Sequence, residues 1–214
     1  MHELLELLDW KRRIFALYAE VRAAADPAAG WRRWCEVRGE LYATHPQSPR
    51  VGAAPRYFDY DASLRTTAEV APSEPTSLRI RGSAGSEIAF TRFARAHFAL
   101  RGEARELELY WLDGYGGGVF LPFGDASNGG ETYGAGRYLL DTVKGADLGG
   151  ADGRLVLDFN FAFNPSCAYS DRWACPLAPP ANRLPLAIRA GECHRAARGT
   201  TPRADDHPER DMSR

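Results

Sequence analysis

Several features that would assign a chain to a familiar functional class are missing here. The 214-residue sequence has a formal net charge of -1. The basic excess that nucleic-acid binders gather on one face is therefore lacking, and no nucleic-acid partner is expected. No stretch approaches the roughly 20 apolar residues that span a bilayer, so no membrane partner is expected either. The opening MHELLELLDWKRR scatters its charges and shows no apolar run before a small-residue cleavage site, unlike a secretory leader. A cytoplasmic location is the expectation. Cysteine is scarce, with only Cys35, Cys167, Cys175 and Cys193, and in a reducing compartment these are thiols rather than disulfides. Cys167 and Cys175 are too far apart, and Cys193 and His194 too close together, for the ligand spacing of a structural zinc site. No metal is expected, and no cofactor is indicated. None of the histidines (His2, His45, His97, His194, His207) falls in the polar segments described below, which leaves Cys167 without a neighbouring base. There are no internal repeats.

The composition that remains, 44% hydrophobic and 11% aromatic, is that of an ordinary globular chain. It predicts a single domain over residues 1–194 and a disordered polar tail over 195–214. Leu7, Trp10, Ile14, Leu17, Tyr18 and Val21 recur at helical spacing. Asp26-Pro27 reads as the start of a second helix, with Trp31, Trp34, Cys35, Leu41 and Tyr42 on one face and a stop near His45-Pro46. Residues 1–45 thus form a helical segment. Residues 47–76 are rich in Pro, Ala and Ser and read as an irregular wrap. A β body is expected over 77–193, with strands at 78–81, 87–93, 95–101, 105–112, 119–123, 137–143, 154–163 and 184–190. The glycines at 114–118 are followed by a strand and not a helix, so a hairpin is favoured over a phosphate cradle. The expected fold is mainly β (α+β): an antiparallel sandwich or partly open barrel with two N-terminal helices packed on it.

Polar groups concentrate in the segment DASNGGETYGAGRY, which holds Asp125, Glu131, Tyr133, Arg137 and Tyr138. Its glycines would let backbone approach a ligand, but a long solvated turn has the same composition. In LVLDFNFAFN, alternation sets Asp158, Asn160 and Asn164 on one side and five apolar residues on the other. Asp and Asn are poor strand formers, so that side either faces water or lines a pocket. Cys167, Tyr169, Asn182 and Arg183 follow in a Pro- and Asn-rich crossover. Read as a pocket for a small polar or anionic molecule, Arg137 and Arg183 would grip the anion. Tyr133, Tyr138 and Tyr169 would supply walls, and Asp158, Asn160 and Asn164 would read hydroxyls or amides. Read as a hydrolase, Glu131 or Asp158 would be the general base. A third alternative is a structural or assembly protein. For Asp125, Glu131 and Asp158, with Arg137 and Arg183 as charge partners, a salt-bridge network that holds the loops is the preferred reading.

Three blocks, DASNGGETYGAGRYL, LDFNFAFNPSCAY and CPLAPPANRLPLAIRAGE, resemble in order and spacing those of a bacterial family, domain of unknown function 1684. The Trp10-Lys11-Arg12 opening and the segment His45-Pro46-Gln47-Ser48-Pro49 fit too, so the resemblance covers residues 9–193. Arg38-Gly39 stands where an Arg-Asp pair would be expected. Arg50 replaces a usually apolar residue, and Cys193 a common Lys. The resemblance implies where a site lies and no particular reaction.

Overall fold

A computed structural model describes residues 2–50, 54–85 and 87–193. The tail expected over 195–214, along with His194 and His207, lies outside the described residues. Helix α1 runs His2–Ala23 and α2 runs Pro27–Thr44. Asp26 caps α2, its carboxylate accepting from the backbone N–H groups of Ala28 at 2.9 Å and Ala29 at 3.2 Å. Pro27 occupies the first turn, where no donor is needed. The helix ends at His45, which is extended ahead of Pro46, as the clash with a following proline requires. The apolar stripe of α1 is buried at Ile14, Leu17 and Tyr18, while Leu4, Leu5, Leu7 and Leu8 stand exposed.

The strands are β1 (Arg56–Tyr57), β2 (Arg65–Arg81), β3 (Glu87–Leu100), β4 (Glu103–Leu112), β5 (Val119–Phe123), β6 (Arg137–Asp141), β7 (Gly150–Ala151), β8 (Arg154–Asp158) and β9 (Glu192–Cys193). Seven form one antiparallel sheet in the order β6-β5-β4-β3-β2-β8-β7, curled into a half-barrel, and β1 pairs with β9. The mainly β fold with two N-terminal helices is the one expected, and the partly open form is the one adopted.

The strands expected at 87–93 and 95–101 run together as β3, with a register shift against β4 between Arg92 and Ala94, and three further stretches differ from expectation. The first is the irregular wrap, which becomes strand from Arg65 onward. Its prolines are accommodated because the register with β3 shifts between Pro72 and Thr76. Beyond Val70, whose N–H donates to the Gly153 carbonyl at 2.9 Å, the other edge of β2 pairs with no strand among the described residues, and proline is tolerated at just such bulges and edges. The second is the strand expected over 154–163, which stops at Asp158. The Asp158 carboxylate accepts from the backbone N–H of Asn160 at 3.0 Å and turns residues 159–161 into a 3-10 helix. Short polar side chains compete with the ladder in this way. The third is 184–190, which is not a strand. Its carbonyls at Ile188 and Ala190 bond the Arg137 guanidinium instead.

The 3-10 turn distributes the phenylalanines. Phe159 enters the core lining the inside of the sheet, which Leu184, Ile188 and Ala190 fill from the crossover segment. Phe161 enters the core beneath the helices, its ring 5.3 Å from that of Trp34. Phe163 joins an aromatic cluster with Phe90, Phe120 and Tyr138. The cavity described next lies where the last two cores meet.

Candidate ligand-binding site

The site residues expected from sequence are dispersed over several environments. Arg137 and Asp125 are fully buried and paired at 2.9 Å. Arg137 also donates to the carbonyls of Ile188, Ala190 and Glu192. Asp125 accepts from the backbone N–H of Ser127 at 2.8 Å and of Ile188 at 3.1 Å. This is a clamp holding the crossover segment against β6. Glu131 is exposed and bonds Arg189 at 2.9 Å. Arg183 is exposed beside Gly124. Asp158 bonds Asn160, Tyr60 and Arg65, and it lines a separate cavity of about 140 Å³ beneath α1. Burial raises its carboxyl above the ordinary range, against the pull of its hydrogen bonds.

Cys167 and Cys175 are buried together as free thiols, the Cys167 backbone N–H donating to Cys175 Sγ at 3.3 Å. Tyr133 faces Cys167 Sγ at 3.8 Å. His97 pairs with Glu106 on the open face of the sheet. No three His, Cys, Asp or Glu side chains gather as a metal site among the described residues.

The buried asparagines separate scaffold from site. Asn182 accepts from Glu108 N–H at 2.8 Å and donates to the carbonyls of Glu108 at 2.9 Å and Pro122 at 2.8 Å. It stitches β4 to β5. Asn160 spends its amide on both backbone groups of Asp61 and on Asp158. Each serves as a piece of artificial ladder. Asn164 differs. Its Nδ2 donates to the Tyr169 hydroxyl at 3.4 Å, but its Oδ1 is buried with no partner among the described residues. Such an atom is costly to leave unpaired, on the order of 1–3 kcal/mol, and calls for an explanation.

The explanation is a cavity of about 70 Å³ that Asn164 lines. Tyr18 also lines it, and its hydroxyl is likewise buried with no partner among the described residues. The Trp34 indole N–H lies beside that hydroxyl without a well-directed bond. Burial pushes the Tyr18 phenol above its ordinary range, so it remains a neutral donor. Trp10, Tyr42, Tyr138 and Phe163 supply aromatic walls.

Arg38 is the charged group at the cavity's core. It is 4% exposed, and its guanidinium carbon lies 4.7 Å from the Trp34 ring centre and 4.9 Å from that of Tyr42. Its Nη2 donates to Glu192 Oε1 at 3.0 Å and to the Tyr42 hydroxyl at 3.1 Å, and its Nε donates to Tyr57 at 3.3 Å. Nη1 makes no hydrogen bond among the described residues, which leaves it for the cavity. Lys144 stands at the exposed mouth, paired with Asp141 at 3.2 Å. It is seated by the turn at Gly145. There φ is +89°, and a Cβ would fall 2.9 Å from the Phe15 ring. Among the described residues, the cavity wall therefore holds two cations and no carboxylate. Glu192 and Asp141 sit behind them.

Of the expected site residues, Tyr138 and Asn164 line this cavity, and Tyr169 backs it through Asn164 and the Tyr42 ring. Sequence reasoning missed Tyr18, Arg38 and Lys144. One signal was present: Arg38 falls four residues after Trp34 and four before Tyr42, on the apolar face of α2. An arginine on such a face needs a buried partner or a ligand.

The chain is similar to known proteins. It is 31% identical to an uncharacterised protein of Haloarcula marismortui whose solution NMR structure superposes with a TM-score of 0.58, covering 77% of this chain and 92% of that one. No curated protein matches. No helix among the described residues is long and apolar enough to cross a membrane. Residues 54–193 match the model of the family described as "Protein of unknown function (DUF1684)", and the chain belongs to that family.

Proposed function

We propose that this protein binds a small anionic molecule in the cavity between the helix pair and the sheet. The observation that carries the reading is the charge of the wall: among the described residues, Arg38 and Lys144 line it and no carboxylate does. Their counter-charges, Glu192 and Asp141, approach from behind. A guanidinium nitrogen left unpaired beside aromatic rings suits one oxygen of a carboxylate or phosphate. The segments that carry the family resemblance support the same place. Trp10, Pro49, Tyr138 and the run Phe163–Ser166 come from four of them and line the cavity. The fifth ends at Glu192. Asp125, Arg137, Asn160 and Asn182 are read as the frame that holds these walls.

The hydrolase alternative draws less support. Glu131 is a surface ion pair, and the Asp158 carboxylate is occupied by the turn that it caps. The four free thiols accord with a reducing, cytoplasmic setting.

The test is thermal denaturation with millimolar butyrate or phosphate, against chloride at equal ionic strength. A ligand at 100 times its dissociation constant stabilises by about 2.7 kcal/mol. That corresponds to roughly 2–4 °C per kcal/mol for a domain of this size. Tyr18→Phe should leave the unliganded melting temperature unchanged or higher, since it deletes an unpaired buried hydroxyl. Lys144→Ala should reduce the ligand-induced rise. If neither anion raises the melting temperature, the reading is wrong.

A further inference from the structure

We propose that the ligand is a short-chain hydroxy acid: a carboxylate carrying a neutral hydrogen-bond donor a carbon or two from the carboxyl group. This rests on the anion-binding reading above and goes further, to what the rest of the ligand must offer.

The first step is the orientation of the Asn164 amide. Its two ends are interchangeable in shape, so the neighbours decide which end faces the cavity. The Tyr169 hydroxyl oxygen accepts from Asn164 Nδ2 at 3.4 Å. The Glu192 carboxylate nearby only accepts, so it draws the Tyr169 proton its own way and leaves the oxygen to the Asn164 NH₂. The other end of the amide, Oδ1, has no partner among the described residues, and Asn164 is one of the residues that line the cavity. A pure anion offers nothing to an acceptor. Its occupant must bring an N–H or O–H.

The second step chooses between these donors. An ammonium would satisfy Oδ1, but it would enter a wall whose charged members, Arg38 and Lys144, are both cations. Like charges in a half-buried cavity repel more strongly than in open water. A hydroxyl supplies the donor without the charge, and its own oxygen can accept from the unpartnered Tyr18 hydroxyl. The carboxylate is left to Arg38 Nη1 and Lys144.

The third step is size. A cavity of about 70 Å³, set against the roughly 10–15 Å³ of such space that one water needs, admits a molecule of a few heavy atoms. The aromatic walls take a short alkyl tail. Donor and carboxylate must therefore lie close together.

Calorimetric titration of the unmodified protein with butyrate, 2-hydroxybutyrate, 3-hydroxybutyrate and 2-aminobutyrate tests this. One of the hydroxy acids should bind about tenfold more tightly than butyrate, the expected return for pairing a buried acceptor. The amino acid should bind more weakly than butyrate. In Asn164→Ala, the hydroxy-acid preference should fall to about twofold or less while butyrate is still bound. Equal binding of butyrate and both hydroxy acids would overturn the inference and leave the anion reading standing, with Oδ1 serving a water. Absence of binding by all four would overturn both. Tighter binding of the amino acid would reverse the assignment of the donor. Should Asn164→Ala fail to fold, the four titrations on the unmodified protein decide alone.

Discussion

Cys167 is the residue whose surroundings alter its chemistry most. A hydrogen bond from Cys175, supported by Ser83 and Tyr133, outweighs the burial that opposes ionisation and lowers the Cys167 thiol to about 6. Burial pushes Cys35 up to about 12 and also raises Cys193, while Cys175 rises because it keeps the shared proton. Thiolate absorbance near 240 nm should therefore show a first step centred near pH 6, absent in Cys167→Ser. A first step above pH 8 would contradict it. The sign of the stability effect follows. An unfolded thiol titrates near 8.5, so between roughly 6 and 8.5 the unfolded chain holds the extra proton, and this group contributes stability that grows with pH. The sequence placed both cysteines in one tight crossover. It could not show that one sulfur would donate to the other, because that depends on the 3-10 turn at Ser166–Ala168.

The strand β8 ends in a carboxylate, and that ending decides how an element reads from sequence. Asp158 is buried and its carboxyl is raised, mainly by desolvation. A raised carboxyl contributes stability at low pH that is lost as pH climbs past the unfolded value of about 3.9. Asp158→Asn keeps an oxygen for the Asn160 cap and removes the buried charge. The melting temperature of the variant minus that of the wild type should therefore grow from pH 4 to pH 7. A difference that shrinks over this range would show that the Arg65 pairing outweighs burial. Alternation along 155–163 correctly marked Leu157 and Phe159 as core and Asp158 as unusual. It failed beyond Asp158 because period-two patterning assumes an unbroken ladder, whereas an Asx turn resets which way each side chain faces. The helices were legible for the opposite reason: their caps, Asp26-Pro27 and His45-Pro46, are local chemistry. Strand β2 was hidden by Pro72 and Pro75, whose tolerance depends on a bulge and an open edge that only the assembled sheet reveals. Arg38, the central group of the site, escaped notice because its counter-charge, Glu192, lies 154 residues away in sequence.

Across the whole molecule, two buried ion pairs fasten the C-terminal crossover to the rest. Arg137 and Asp125 hold it to the sheet, and Arg38 and Glu192 hold it to the helices. Removing one member of such a pair leaves an uncompensated charge, at a cost on the order of 3–5 kcal/mol. Arg137→Ala should therefore lower the melting temperature by roughly 2–4 °C for each kcal/mol lost, with no change in ligand preference among molecules still folded. A small drop accompanied by lost binding would return Arg137 to the role that its sequence first suggested. Glu192 is the more consequential partner. One carboxylate oxygen holds Arg38, the other accepts from the Asn164 backbone N–H, its own N–H bonds Ala162, and its carbonyl accepts from Arg137. Arg38, the cavity's buried cation, and the Asn164 amide thus hang from a single residue in the last described strand. Cavity and chain end are in effect one coupled object. Any free energy a ligand spends tightening Arg38 and Asn164 is felt as firmer docking of residues 188–193, and anything that loosens that docking weakens the ligand by the same factor.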